Sequence, residues 1–151
     1  MTSPELFFDC SALFAGIVSA SGASRALLLL AEAGQVAITV SEQVVVETER
    51  AVARKIPRAL PEFREAIRTT GLRIVRDPSP DEIEGYTDII AHQADVPIVV
   101  AAMHNKTDYL VTLNRRHFID DPAVADRSKL RIGMPGDALA WARQHLVETG
   151  T

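Results

Sequence analysis

Asp9, Glu47 and Asp95 are carboxylates placed where three separate segments change character. Asp9 ends the apolar run Leu6-Phe7-Phe8, Glu47 lies in the second turn of a stretch read as helical, and Asp95 stands directly before Val96-Pro97. If the fold brings them together, oxygen ligands without thiol or imidazole suit a hard cation, Mg²⁺ or Mn²⁺, which keeps several waters and works on phosphates. Carboxylates crowded without a cation raise at least one pKa steeply, so such a cluster implies bound metal or a shared proton. Each residue also has a plainer role. Asp9 and Asp95 both sit where a helix N-cap belongs. On a helical wheel with Val44, Val45, Thr48 and Val52 facing the core, Glu47 falls on a flank and Glu49 nearer the centre, so periodicity does not choose between them.

For these groups to meet, the chain must supply strands whose ends converge. Apolar runs at residues 6–8, 36–40, 72–75, 108–112 and 130–132 read as strands. Between them, residues 23–33 form a Leu- and Ala-rich helix stopped by Gly34. Ser41 caps a helix running to about Lys55 before Pro57, and residues 60–70 form another that stops at Gly71. Ser79 and Glu82, flanking Pro80, have capping-box spacing, which predicts a helix to about His92. Asp95 opens a further helix to about Asn105, and Pro135 begins a closing one to about Val147. Strands that alternate with helices and are apolar throughout predict one α/β domain over residues 1–151. Its fold class is a three-layer α/β/α sandwich on a mostly parallel, about five-stranded sheet. In such sheets sites lie at the carboxyl ends of strands, where Asp9, Ser41 and Thr112 to Asn114 are expected at one edge.

Composition narrows the function classes. A chain of 151 residues with 47% hydrophobic and 24% charged residues suffices for one core. The formal net charge of −4 argues against holding nucleic acid by bulk electrostatics, although metal-binding acids themselves lower that charge. Cys10 is the only cysteine, which excludes an internal disulfide and suits a reducing cytoplasm. No apolar run approaches a membrane span, and no Gly-rich phosphate loop is present. His92, His104 and His145 fall in stretches read as helical, where surface or packing roles are expected. Cys10 is expected as a packed residue and not a nucleophile.

The segments Leu6-Phe-Phe-Asp9-Cys-Ser11, Ser41-Glu-Gln-Val-Val-Val-Glu47, Asp95-Val-Pro-Ile-Val-Val-Ala-Ala102 and Tyr109-Leu-Val-Thr-Leu-Asn-Arg-Arg-His-Phe118, in this order, resemble the PIN-domain family, including VapC-type toxin ribonucleases. The segment Met134-Pro-Gly-Asp-Ala-Leu139 resembles the start of the last helix in toxin PIN proteins. The resemblance implies a metal-dependent ribonuclease with Asp9, Glu47 and Asp95 as first, second and third acids on Mg²⁺ or Mn²⁺. Ser11 matches the hydroxyl residue two positions after the first acid. It further implies RNA as substrate, an antitoxin as protein partner and a homodimer. The family's fourth acid follows the fourth strand, and here that segment is Thr112-Leu113-Asn114. The chain departs from the stricter pattern at Asn114, which offers a carbonyl oxygen but no charge. A weaker second metal site, or a domain that binds RNA without efficient cleavage, is the alternative this leaves. Arg115, Arg116 and His117 are the nearest basic group and are candidates for holding the substrate's phosphates.

Overall fold

Five short strands form one sheet in the computed structural model, which describes residues 3–149; the ends of the expected 1–151 domain lie outside the described residues. The strands are β1 (Glu5–Phe8), β2 (Ala37–Ser41), β3 (Arg73–Val75), β4 (Tyr109–Val111) and β5 (Arg131–Gly133). Their order is β3-β2-β1-β4-β5, and every pairing is parallel. Leu6, Phe7 and Phe8 of β1 and Leu110 and Val111 of β4 are fully buried, which follows from strands covered on both faces. At the edge, β3 has exposed Arg73 and Ile74.

The helices are α1 (Cys10–Val18), α2 (Ala23–Glu32), α3 (Glu42–Lys55), α4 (Leu60–Thr69), α5 (Pro80–Ile83), α6 (Val96–His104), α7 (Arg115–Phe118), α8 (Ala123–Ser128) and α9 (Pro135–Thr149). Helix α1 packs on α2, α3 and α4, and α2 packs on α9, whereas α5 and α8 pack on α6. These two groups are the outer layers, as right-handed crossovers require when the chain winds outward from β1 in both directions. No single described helix is long and apolar enough to cross a membrane.

Local signals account for most boundaries. Ser41 accepts a hydrogen bond from the Val44 N–H, Glu42 stands in the first turn of α3, and Arg54 and Lys55 stand in its last, matching the helix dipole. Gly34 and Gly71 have φ of 78° and 76°, the left-handed conformation that closes α2 and α4. The Ser79/Glu82 capping box is formed in both directions.

The helix expected from Pro80 to about His92 is the main correction. It ends at Ile83, passes into a 3₁₀ turn at Glu84–Tyr86, and continues as turns to a second 3₁₀ segment, Gln93–Asp95. Gly85 weakens the helix. The Gln93 side-chain amide instead donates to the carbonyl oxygens of Thr87 and Ile90, while Ile89 and Ile90 are buried from the loop. Helices α7 and α8 were not expected from the sequence pattern.

Candidate metal centre

The sheet order reverses direction at β1, whose neighbours β2 and β4 both lie in parallel, so the crevice beyond the carboxyl ends of β1 and β4 is the topological switch point. Asp9 leaves β1 at this crevice, 3% exposed. It caps α1 through Oδ1, which accepts from the Ala12 N–H at 2.9 Å and from the Ser11 hydroxyl at 2.7 Å. Oδ2 accepts from the Thr112 hydroxyl at 2.5 Å. The cap uses Oδ1 and leaves Asp9 at the mouth of the crevice, so capping does not preclude a role in a site there. Burial holds the Asp9 carboxyl above its ordinary value, against the three hydrogen bonds that lower it, and the charge of Asp95 adds to the rise.

The two loops are bound together. Ser11 Oγ also accepts the Leu113 N–H at 2.9 Å, and Thr112 Oγ1 accepts the Asn114 N–H at 2.9 Å. Thr112, fully buried, is thus a positioning residue for Asp9 that the sequence pattern marked only as a strand end.

Glu47 is half-buried on α3. Burial pushes its carboxyl up, a hydrogen bond from Gln43 opposes this, and the negative charge of Asp95 adds to it. Gln43 also donates to the Ala94 carbonyl oxygen at 3.1 Å, tying α3 to the turn that carries Asp95. Glu49 points elsewhere, to Arg64 at 3.4 Å.

Asp95 occupies the N-cap of α6 but makes no side-chain capping bond. Its Oδ2 instead lies 3.0 Å from His92 Nδ1 and 3.2 Å from His117 Nδ1. Asn114 caps α7, accepting the His117 N–H through Oδ1 at 3.2 Å, with its Nδ2 at 3.0 Å from His117 Nδ1. Arg115 and Arg116 are exposed on α7, beside the crevice. Burial, then the charges of Asp9, Glu47 and Asp95, push the Cys10 thiol up to about 12, which disfavours the thiolate that a nucleophile needs.

Asp95 acts electrostatically on both Asp9 and Glu47, yet among the described residues the three are not a set with ligand atoms within 4.8 Å of one another. The group that meets that distance is His92, Asp95 and His117. A spread of acids fits an ion that keeps its own waters, since Mg²⁺ commonly takes one or two carboxylates and fills its shell with water. Burial first, and repulsion by Asp95 after it, raise Asp9 and Glu47, and a bound cation would offset both by favouring their charged forms.

A family model described as the PIN domain matches residues 5–116, a span that includes Asp9, Glu47, Asp95 and Asn114. PAE2754 from Pyrobaculum aerophilum superposes with a TM-score of 0.64 at 15% identity, over 93% of this chain and 96% of that one. VapBC2 from Rickettsia felis, solved with a DNA fragment from its promoter, gives 0.62 at 18% identity, over 86% and 98%. DNA-bound VapBC from Salmonella typhimurium gives 0.59 at 14% identity, over 87% and 98%. At such identities these structures share the fold. No match was found among curated proteins. With its all-parallel five-stranded sheet and a family-model match across three-quarters of its length, this chain belongs to the PIN-domain family.

Proposed function

We propose that this PIN-domain chain is a divalent-metal-dependent endoribonuclease that hydrolyses RNA phosphodiester bonds in the cytoplasm. The observation that carries the reading is a fully buried, triply hydrogen-bonded Asp9 at the switch point, with Asp95 acting electrostatically on both it and Glu47. Asp9 and Asp95 are the central metal ligands, and Glu47 binds directly or through water. When bound, Mg²⁺ or Mn²⁺ supplies acidification of a water and neutralisation of charge on the phosphoryl oxygens. Ser11, Thr112 and the Ala12 N–H aim Asp9, while Glu47 orients the attacking water. Arg115, Arg116 and His117 hold the substrate's phosphates from the crevice rim.

Two of the similar structures are VapBC assemblies, which supports a toxin paired with an antitoxin. A homodimer is part of the same proposal. The test is cleavage of RNA by the purified chain with Mg²⁺ or Mn²⁺ and with chelator, alongside melting curves at millimolar Mn²⁺. Metal-dependent cleavage, lost in both Asp9→Asn and Asp95→Asn, is the expected result. RNA binding without cleavage at any metal concentration would overturn it in favour of a binding module, the reading that Asn114 in place of an acid favours.

A further inference from the structure

Histidines 92 and 117 come from different segments, a turn before α6 and the helix α7, yet their rings stack with centroids 4.3 Å apart and planes 21° from parallel. Both present Nδ1 to the same oxygen, Asp95 Oδ2, at 3.0 and 3.2 Å. Donor atoms held by one ion at about 2.0–2.1 Å lie roughly 2.9–3.4 Å apart for octahedral or tetrahedral angles, so both separations are those of a ligand shell. The access is open, because the side chains of His92, His117 and Asp95 are 50%, 30% and 15% exposed.

The α7 cap holds one of the rings in place. Asn114 Oδ1 accepts the His117 N–H at 3.2 Å and its Nδ2 lies 3.0 Å from His117 Nδ1, so the His117 ring is fixed facing Asp95 from across the crevice.

We propose that His92, Asp95 and His117 form a binding site for a late first-row divalent ion of the Zn²⁺ class, adjoining the acidic centre and sharing Asp95 with it. Two imidazoles and one carboxylate select such borderline ions over Mg²⁺, which takes oxygen ligands. The site rests on the proposed acidic centre only through Asp95, and no Asp9 contact enters it.

Calorimetric titration of the whole chain with Zn²⁺ and separately with Mg²⁺ tests this, with Co²⁺ absorption as a report of imidazole ligation. Zn²⁺ is expected to bind about tenfold or more tighter than Mg²⁺, and the doubly substituted His92→Ala/His117→Ala chain to lose about 100-fold in Zn²⁺ affinity together with the Co²⁺ band. Asp9→Asn is expected to keep the Zn²⁺ isotherm while losing Mg²⁺-dependent cleavage. Unchanged Zn²⁺ affinity in the double variant, or equal affinity for Zn²⁺ and Mg²⁺ in the wild type, overturns the site and leaves the acidic centre standing. Loss of Zn²⁺ binding to the double variant with Asp9→Asn fully active would sink the acidic centre instead. His92→Ala alone is the second variant, since its exposed ring leaves the α7 cap untouched; wild-type Zn²⁺ affinity in it likewise overturns the site.

Discussion

Asp9 and Asp95 are both helix N-cap residues at one crevice, and their surroundings are opposite. Asp9 is buried, with both oxygens committed to hydroxyls and a main-chain N–H; Asp95 is only partly buried, makes no side-chain capping bond, and is met by two imidazoles. The first carboxylate is fixed by partners on its own loop and on the neighbouring strand end. The second is held only by two ring nitrogens from other segments. Under the proposed function, rigidity and adaptability would be divided between these two carboxylates.

The comparison breaks most sharply at Asp9→Asn. Cleavage should fall by more than about 100-fold, since a direct ligand outranks the supporting partners whose loss costs about 10–100-fold. The metal-free melting temperature should not fall, because burial disfavours the charged carboxylate that Asn removes. Circular-dichroism melting in chelator checks this half. Thr112→Val should come next, removing the hydroxyl that holds Asp9 Oδ2 and receives the Asn114 N–H. It should destabilise the fold by about 1–3 kcal/mol and lower metal affinity by about tenfold or more, read by denaturant unfolding and calorimetry.

Glu47→Gln should weaken metal binding and cleavage by roughly tenfold. Glu49→Gln should leave both unchanged, losing only an exposed ion pair to Arg64 worth at most about 1 kcal/mol. The reverse ranking in a side-by-side kinetic assay would exchange the two glutamates. Asn114→Asp keeps the α7 cap acceptor and adds a negative charge beside His117. Mn²⁺ affinity by calorimetry should rise modestly; identical isotherms would place this residue beyond the ion's reach.

The smallest effect belongs to Glu82, a histidine-flanked carboxylate away from the crevice that accepts from the Ser79 N–H and pairs with Arg76. The Ser79 N–H, then Arg76, holds its carboxyl down to about 2 from an ordinary 4.5. A lowered folded-state value means that its support of the α5 cap is complete above the ordinary value and disappears as pH falls through the shifted one. The Ser79 amide resonance should therefore move only under strong acid, and Glu82→Gln should abolish that movement.

The layered fold was legible because its long elements carry their own signals: Gly34 and Gly71 at helix ends, Ser41 and Ser79 as caps, and Leu6 to Phe8 as a buried strand. The segment from Glu84 to Asp95 was not, because its conformation is set by Gln93 bonding back to Thr87 and Ile90 and not by periodicity. His92 was misplaced onto a helix for the same reason. Helix α7 has only four residues and depends on Asn114 as its cap, so neither it nor the turn of His117 toward Asp95 has a periodic signature.

The contact between Asp9 and Thr112 joins residues 103 apart in the chain. On a ribosome this sets a schedule. Strand β1 leaves first but must wait with one edge unpaired until β4 is made, an interval of roughly 5–20 s at ordinary synthesis rates. By then Asp9, Glu47 and Asp95 have all been translated, yet Asp9 Oδ2 has no hydroxyl partner and Asp95 meets only His92 until Thr112 and His117 follow. The contacts that join the β1 and β4 loops therefore form only with the last quarter of the polypeptide, so if the proposed ribonuclease activity holds, a nascent chain acquires it only near the end of its synthesis.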